Sequence, residues 1–356
     1  MRPLRRLAVL ALPLAGPLAL RAQSPERYTL RGDDVAIYDP AGTVQVVAGS
    51  GGDVVVSVVR RGRDAGRLRV LSGAVGGHDA VRVVAPAGDL VYPDIGRGSN
   101  VTLRVRSDGT FGGNDGGLFG GLTSDRVTVR GDGGGVEAWA EVTVYVPAGR
   151  RVAVHIGAGT AGARDVSADL RFDAHAARVA TERTRGRIVV DAGSGAVRVH
   201  DAQGQEVNLD TGSGGVELRG VRADRVRVDA GSGGVSGGDV DASDANFDVG
   251  SGGLRLERTH ARTLKLDAGS GSVDLELAGA VDNAQIETGS GGITLRLPPT
   301  LGATLDVDTG SGGIHTEIPV QVTRSERDHL TGRIGDGRGR IVIAAGSGGV
   351  RLAAAR

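Results

Sequence analysis

Seven carboxylates share one local setting: Asp191, Asp210, Asp229, Asp248, Asp267, Glu287 and Asp308 each stand two residues before a Gly-Ser-Gly string. If the strings stack as neighbouring strands, these acids form a column with a spacing of ~4.8 Å. Adjacent members then repel by roughly 0.9 kcal/mol in water. Such a column on an outer face suits one of two roles, a weak site for cations such as Ca2+ or an adhesive ladder. The plainer alternative is a solvated face, with Arg227 and Lys265, two residues ahead of their acids, offsetting part of the charge.

Other candidates are weaker. A serine recurs inside every string (Ser194, Ser213, Ser232, Ser251, Ser270, Ser290, Ser311 and Ser347) and is expected to point inward as small corner packing. A nucleophile needs a base within hydrogen-bond reach, and no histidine recurs in register with these serines. The seven histidines lack metal-ligand spacing and are expected at the surface. Calcium-binding nonapeptide repeats place the acid after the glycines, whereas here it comes before them. None of the glycine strings ends in the Lys-Ser/Thr of a phosphate loop. No catalytic or cofactor-binding residue is assigned on these grounds.

The elements that must position the acids follow from the period. Gly-Ser-Gly begins at Gly193, Gly212, Gly231, Gly250, Gly269, Gly289 and Gly310, in steps of 19 to 21 residues, and again at Gly346 after a step of 36. That last step reads as two periods with a degenerate coil between them. Around each string apolar residues alternate, as in Val226 and Val228 before Gly231 and Val216 and Leu218 after Gly212. The glycines are read as corners, chosen for positive φ and for lack of a Cβ. Gly212–Ala230 serves as the type coil: a corner, a strand over Val216–Arg219, an opposite turn at Gly220–Asp224 and a return strand. The expected fold is all-β, a parallel β-solenoid with coils of about 19–21 residues, flattened into two sheets or, less simply, three-sided. A single coil does not bury enough to fold alone, so neighbours must cover each other. The coil from Gly231 is expected to be the weakest, because Gly237 replaces an apolar residue.

Residues 1–22 carry Arg2, Arg5 and Arg6 ahead of the apolar stretch Leu7–Leu20, which is too short to span a bilayer. They are expected to be a signal peptide, with a short anchor as the alternative. Residues 23–150 form a less regular β region with a Gly-rich insertion at 107–125, read as the cap of the stack or as a separate β-domain. Residues 151–356 form the regular solenoid. Lys+Arg and Asp+Glu both number 42, so the surplus of positive charge that nucleic acid requires is missing. Cysteine is absent, which excludes disulfides, and no second apolar span follows, so no transmembrane segment is expected in the mature chain.

Repeated Asp-x-Gly-Ser-Gly-Gly-Val units, and Ile334-Gly335-Asp336-Gly337-Arg338-Gly339 ahead of the last string, resemble the bacterial β-strand-repeat family of adhesin-like proteins, domain of unknown function 4097. The resemblance is good over about 153–352 and loose before that, and it implies a β-solenoid outside the cytoplasm. The expected function is a non-catalytic exported protein of the periplasm, cell surface or medium, adhesin-like or structural in the envelope, with an envelope or extracellular partner. The alternatives are a carbohydrate-active β-helix enzyme, which would need paired acids at one place in a groove, and a self-polymerising scaffold. Arg351 and Arg356 are expected near the C-terminal edge, where they would discourage polymerisation.

Overall fold

The computed structural model describes residues 24–112 and 124–355; the signal-peptide reading and much of the Gly-rich insertion lie outside them. Strands dominate, helical turns are limited among the described residues to Ala65–Arg67 and Pro93–Ile95, and most strands join one continuous sheet ladder. Its regular part is a parallel stack. Val197–Thr211, Val216–Ala230, Val235–Val249 and Leu254–Ala268 pair in register at a constant offset of 19 residues. Each coil buries the alternating set read from the sequence, for example Val216, Leu218, Val226, Val228 and Ala230.

The stack begins at Asp34–Ala48, which pairs along its length with Arg151–Arg164. Between these two coils the chain makes an excursion that closes the N-terminal end. Trp139–Val146 pairs with the second half of the first coil, Val54–Arg61 runs antiparallel to it, and Glu26–Leu30 is outermost. A separate four-stranded sheet (Gly88–Val91, Asn100–Arg106, Ser124–Arg130 and Val136–Glu137) contributes Leu90, Leu103 and Val129 to the same hydrophobic cluster as the coils.

The corners differ from the sequence reading in one physical respect. None of the eight corner-opening glycines has positive φ. They are required because the stacked backbones approach too closely for a side chain: a Cβ on Gly214, Gly233, Gly252 or Gly271 would fall on the carbonyl oxygen of the corner before it. The ladder runs through the corner, with Gly231 N donating to Thr211 O at 2.9 Å and Ser232 N to Gly212 O at 2.9 Å. The serines point to solvent, against the inward expectation, because the third corner residue is the one turned inside. Buried Thr211, Thr288 and Thr309 donate their hydroxyls to the carbonyls of Gly214, Gly271 and Gly312 at 2.8–3.0 Å.

Positive φ occurs at the opposite bend instead. Asp165, Arg183, Asp201, Gly220, Asp239 and Arg258 are all left-handed, at φ 47–62°, one per coil. The turn is therefore a single-residue kink inside a strand of fifteen residues, rather than a five-residue loop. Aspartate tolerates this conformation. Arginine does so less readily, and here it is held by the aspartate of the coil before: Arg183 reaches Asp165 at 2.6 Å and Arg258 reaches Asp239 at 2.7 Å. These hydrogen bonds hold both aspartates below the usual carboxylate range. In the coil from Gly231, the space left by Gly237 is occupied by Leu256 of the next coil, whose Cδ2 lies 2.6 Å from where a Cβ would sit.

Two 36-residue steps, the one from Gly310 to Gly346 and the one from the weaker copy Gly157-Ala158-Gly159 to Gly193, resolve differently. From Gly157 to Gly193 the chain makes two coils of eighteen residues, with a glycine-free corner at His175–Ala177 between them. From Gly310 to Gly346 no intervening coil forms. Gln321–Ser325 and His329–Ile334 make an antiparallel hairpin that folds back on Ala303–Thr309. The last coil, Gly339–Ala345 and Val350–Ala354, then slides between the coil of Gly289 and the coil of Gly310. Arg351 consequently lies between Thr294 and His315, inside the stack and away from its edge; Arg356 is not among the described residues.

The third and fourth residues of a corner should respond in sharp contrast to an added methyl group. Gly233→Ala should destabilise the fold by about 3 kcal/mol, as overpacking of a rigid site does. Gly215→Ala, whose nearest atom to a Cβ is 3.5 Å away, should stay within about 1 kcal/mol of the parent. Denaturant melts of both variants check this.

Candidate functional site

The acids do form a column, with one addition and one interruption. Asp173, Asp191, Asp210, Asp229, Asp248, Asp267 and Glu287 are direct partners on successive strands. Asp173 escapes a search by motif because His175-Ala176-Ala177 follows it in place of a glycine string. Asp308 does not adjoin Glu287. Ala344 of the inserted terminal coil pairs with both, so the column ends at Glu287 and Asp308 stands one rung apart.

The surroundings of the column are asymmetric. The row four residues before the column positions carries Asp34, Arg151, Asp169, Arg187, Glu206, Arg225 and Asp244 on successive rungs with alternating signs, and then the uncharged Thr263 and Asn283. Arg151–Asp34 and Arg187–Glu206 close at 3.1 and 2.8 Å. The strand run on the other side of the corner is paired off as well, with Arg164–Glu182, Arg198–Glu217 and Arg219–Glu217 at 2.7–3.2 Å. Among the described residues, no salt bridge reaches Asp191, Asp210, Asp229, Asp248 or Asp267. Arg227 and Lys265 lie in the neighbouring row without closing on the acids. Burial, followed by the flanking Asp229 and Asp191 carboxylates, pushes the Asp210 pKa up, with Arg227 opposing.

At the N-terminal head of the column the chemistry changes. The same row continues through His155 to Tyr38. The His155 ring stacks on Tyr38 at 4.3 Å between centroids and shares a hydrogen bond of 3.2 Å between Nδ1 and Asp173 Oδ2. His155 is buried, contrary to the expectation of a surface histidine. A cavity of about 390 Å³ opens beside it, lined in part by Asp34, His78, Arg151 and Arg171. No spacing rule would have found this grouping, since 117 residues separate Tyr38 from its partner. The eight corner glycines Gly193, Gly212, Gly231, Gly250, Gly269, Gly289, Gly310 and Gly346 all lie at the bend that the column borders, in the order Gly289, Gly346, Gly310 at the C-terminal end.

With this geometry established, the comparisons decide the family. The family model Toastrack DUF4097 matches residues 134–353, more than half of the chain. The chain belongs to the Toastrack DUF4097 family. A comparison with curated proteins finds no match. Among solved structures, the chain is similar to a "putative cell adhesion protein" from Clostridium sporogenes ATCC 15579, at 8% identity and a TM-score of 0.20, over 93% of this chain and 100% of that one. The Toastrack match spans the acid column, the inserted terminal coil and the hairpin alike. Among the described residues, no helix of this Toastrack protein is long and apolar enough to cross a membrane.

The raised Asp210 pKa gives a signed pH dependence. The folded carboxyl keeps its proton to a higher pH than the unfolded one. The contribution of this group to stability is therefore fullest below the ordinary aspartate range near pH ~4 and is lost as pH rises through the folded value. Asp210→Asn should raise the melting temperature at pH 7 by about 1–3 °C. The gain should vanish near pH ~3 and shrink in high salt. Melts across pH and ionic strength read it directly.

Proposed function

We propose that this Toastrack protein is a non-catalytic, exported β-solenoid, adhesin-like or structural in the cell envelope, whose acidic face is its contact surface. The observation that carries the reading is the seven-membered acid column, left without salt-bridge partners among the described residues over five consecutive rungs, while other rows of the stack pair acids with arginines, as at Arg187–Glu206 and Arg198–Glu217. Columns of like charge weaken a sheet, so a column kept in a stack that pairs opposite charges elsewhere reads as a feature of the surface rather than of the fold. The occupants it suits are cationic: a basic polymer, or a divalent ion such as Ca2+ bridging to an anionic partner. A rigid stack fixes the carboxylates at one strand spacing, so binding requires little reordering of the protein.

Less supports the enzyme reading. A glycosidase places two acids across one cleft, whereas here equivalent pairs repeat along an open face. The aromatic rings are mostly committed to packing, with Tyr38, Tyr92 and Phe111 buried. Export rests on the basic and apolar N-terminus, and periplasm, surface and medium are all compatible with it.

Binding of the full chain to immobilised polylysine and to neutral dextran tests the reading. The parent should be retained on polylysine and released by salt. A variant with Asp210, Asp229, Asp248 and Asp267 all changed to Asn should lose at least tenfold in affinity. Equal retention of parent and variant would contradict the assignment of the face. New reducing ends from a polysaccharide panel would favour the enzyme instead.

A further inference from the structure

The return hairpin brings together three donors that lie apart from the acid column. His329–Ile334 runs antiparallel to Ala303–Thr309, with His329 directly opposite Asp308 and Thr331 opposite Asp306. Opposed residues on one face have Cβ atoms about 4.5–5.5 Å apart, and residues two apart on a strand share that face. Asp306, Asp308 and His329 therefore converge by backbone register. His329 Nδ1 lies 2.6 Å from Asp308 Oδ1, and one donor atom from each of the three residues lies within 4.8 Å of the others.

The local charge is unbalanced. Among the described residues no arginine or lysine pairs with Asp306 or Asp308. Their partners on the inner side are Val342 and Ala344, which carry no charge. Nearby Arg324 is taken by Glu326, and Arg333 is taken by Gln321. Two carboxylates and one imidazole, partly exposed, make up an incomplete coordination shell.

We propose that Asp306, Asp308 and His329 form a binding site for a divalent transition-metal ion of the zinc class, which clips the return strand to the outermost coil. The imidazole selects the class: calcium and magnesium prefer all-oxygen shells, whereas zinc takes nitrogen and carboxylate together. Zinc bonds of about 2.0–2.2 Å to nitrogen and oxygen require only that the three side chains draw closer by rotation. Loss of the hydrogen bond between His329 and Asp308 accompanies binding. The site goes beyond the acidic contact face and does not depend on it, because Ala344 separates Asp308 from the column.

Zinc chloride titrated calorimetrically into the chelator-treated full chain tests the proposal. One equivalent should bind. Asp306→Asn and His329→Gln should each weaken binding at least tenfold, while each variant melts in chelator within 2–3 °C of the parent. Asp229→Asn, in the column, should leave zinc binding unchanged, and calcium in hundredfold excess should not displace the zinc. The proposal is overturned if no zinc binds, if both site variants bind like the parent, or if calcium competes on equal terms.

Discussion

The structure depends on one close approach. At each Gly-Ser-Gly corner from Gly193 onward the first and third residues lie so near a carbonyl of the neighbouring coil that no side chain fits, and this contact sets the stack in register. With the corners fixed, each residue faces the same position one coil away, so the chain can only build columns. Apolar columns make the core. Polar columns make surfaces of uniform or alternating chemistry, and the sequence of each coil decides which. Gly-Ser-Gly therefore acts through the space it leaves, and the exposed serine is incidental to the packing.

Two kinds of polar column show how the same register produces opposite electrostatics. At the left-handed bend, aspartate and arginine alternate from Asp165 through Arg183 to Asp201, and again from Asp239 to Arg258, so an awkward backbone conformation is held by pairs between coils. Beside the glycine corner, aspartate follows aspartate. The first arrangement stabilises the stack; the second opposes it mildly and is screened by solvent. The acidic face retains an unfavourable interaction over many coils, which is why the functional reading rests there.

Much of this was legible in the sequence. The nineteen-residue period located the corners, the alternation located the buried residues, and the acid two residues before each string located the column. Three things were hidden. A left-handed aspartate leaves no mark distinguishable from any surface aspartate, so the kinks at Asp201 and Asp239 carry no signature in the sequence. Asp173 lacked the glycine marker that identifies its neighbours. The order of the last two coils was ambiguous, because a step of 21 residues fits a sequential stack as well as a stack with a gap. Ala344 was a clue: of the eight Gly-Ser-Gly strings from Gly193 onward, only the last has no acid two residues before it, and its coil is the one placed between Glu287 and Asp308. Long-range groupings such as Tyr38 with His155, or Asp308 with His329, follow only once the register is known.

The inserted coil gives the account its most direct test, because it requires both stacking in register and a definite order. Ser347 N donates to Gly289 O at 3.2 Å and Ser311 N to Gly346 O at 3.2 Å, so Ser347 neighbours both Ser290 and Ser311, while those two are a full coil apart. The chain has no cysteine of its own, and a disulfide needs Cα atoms within about 7 Å. Paired Ser290→Cys and Ser347→Cys should cross-link under mild oxidation, whereas paired Ser290→Cys and Ser311→Cys should remain reduced. Cross-linking of the second pair and not the first would contradict the order of the stack, and failure of both Ser290–Ser347 and the regular pair Ser213–Ser232 would contradict the stack itself.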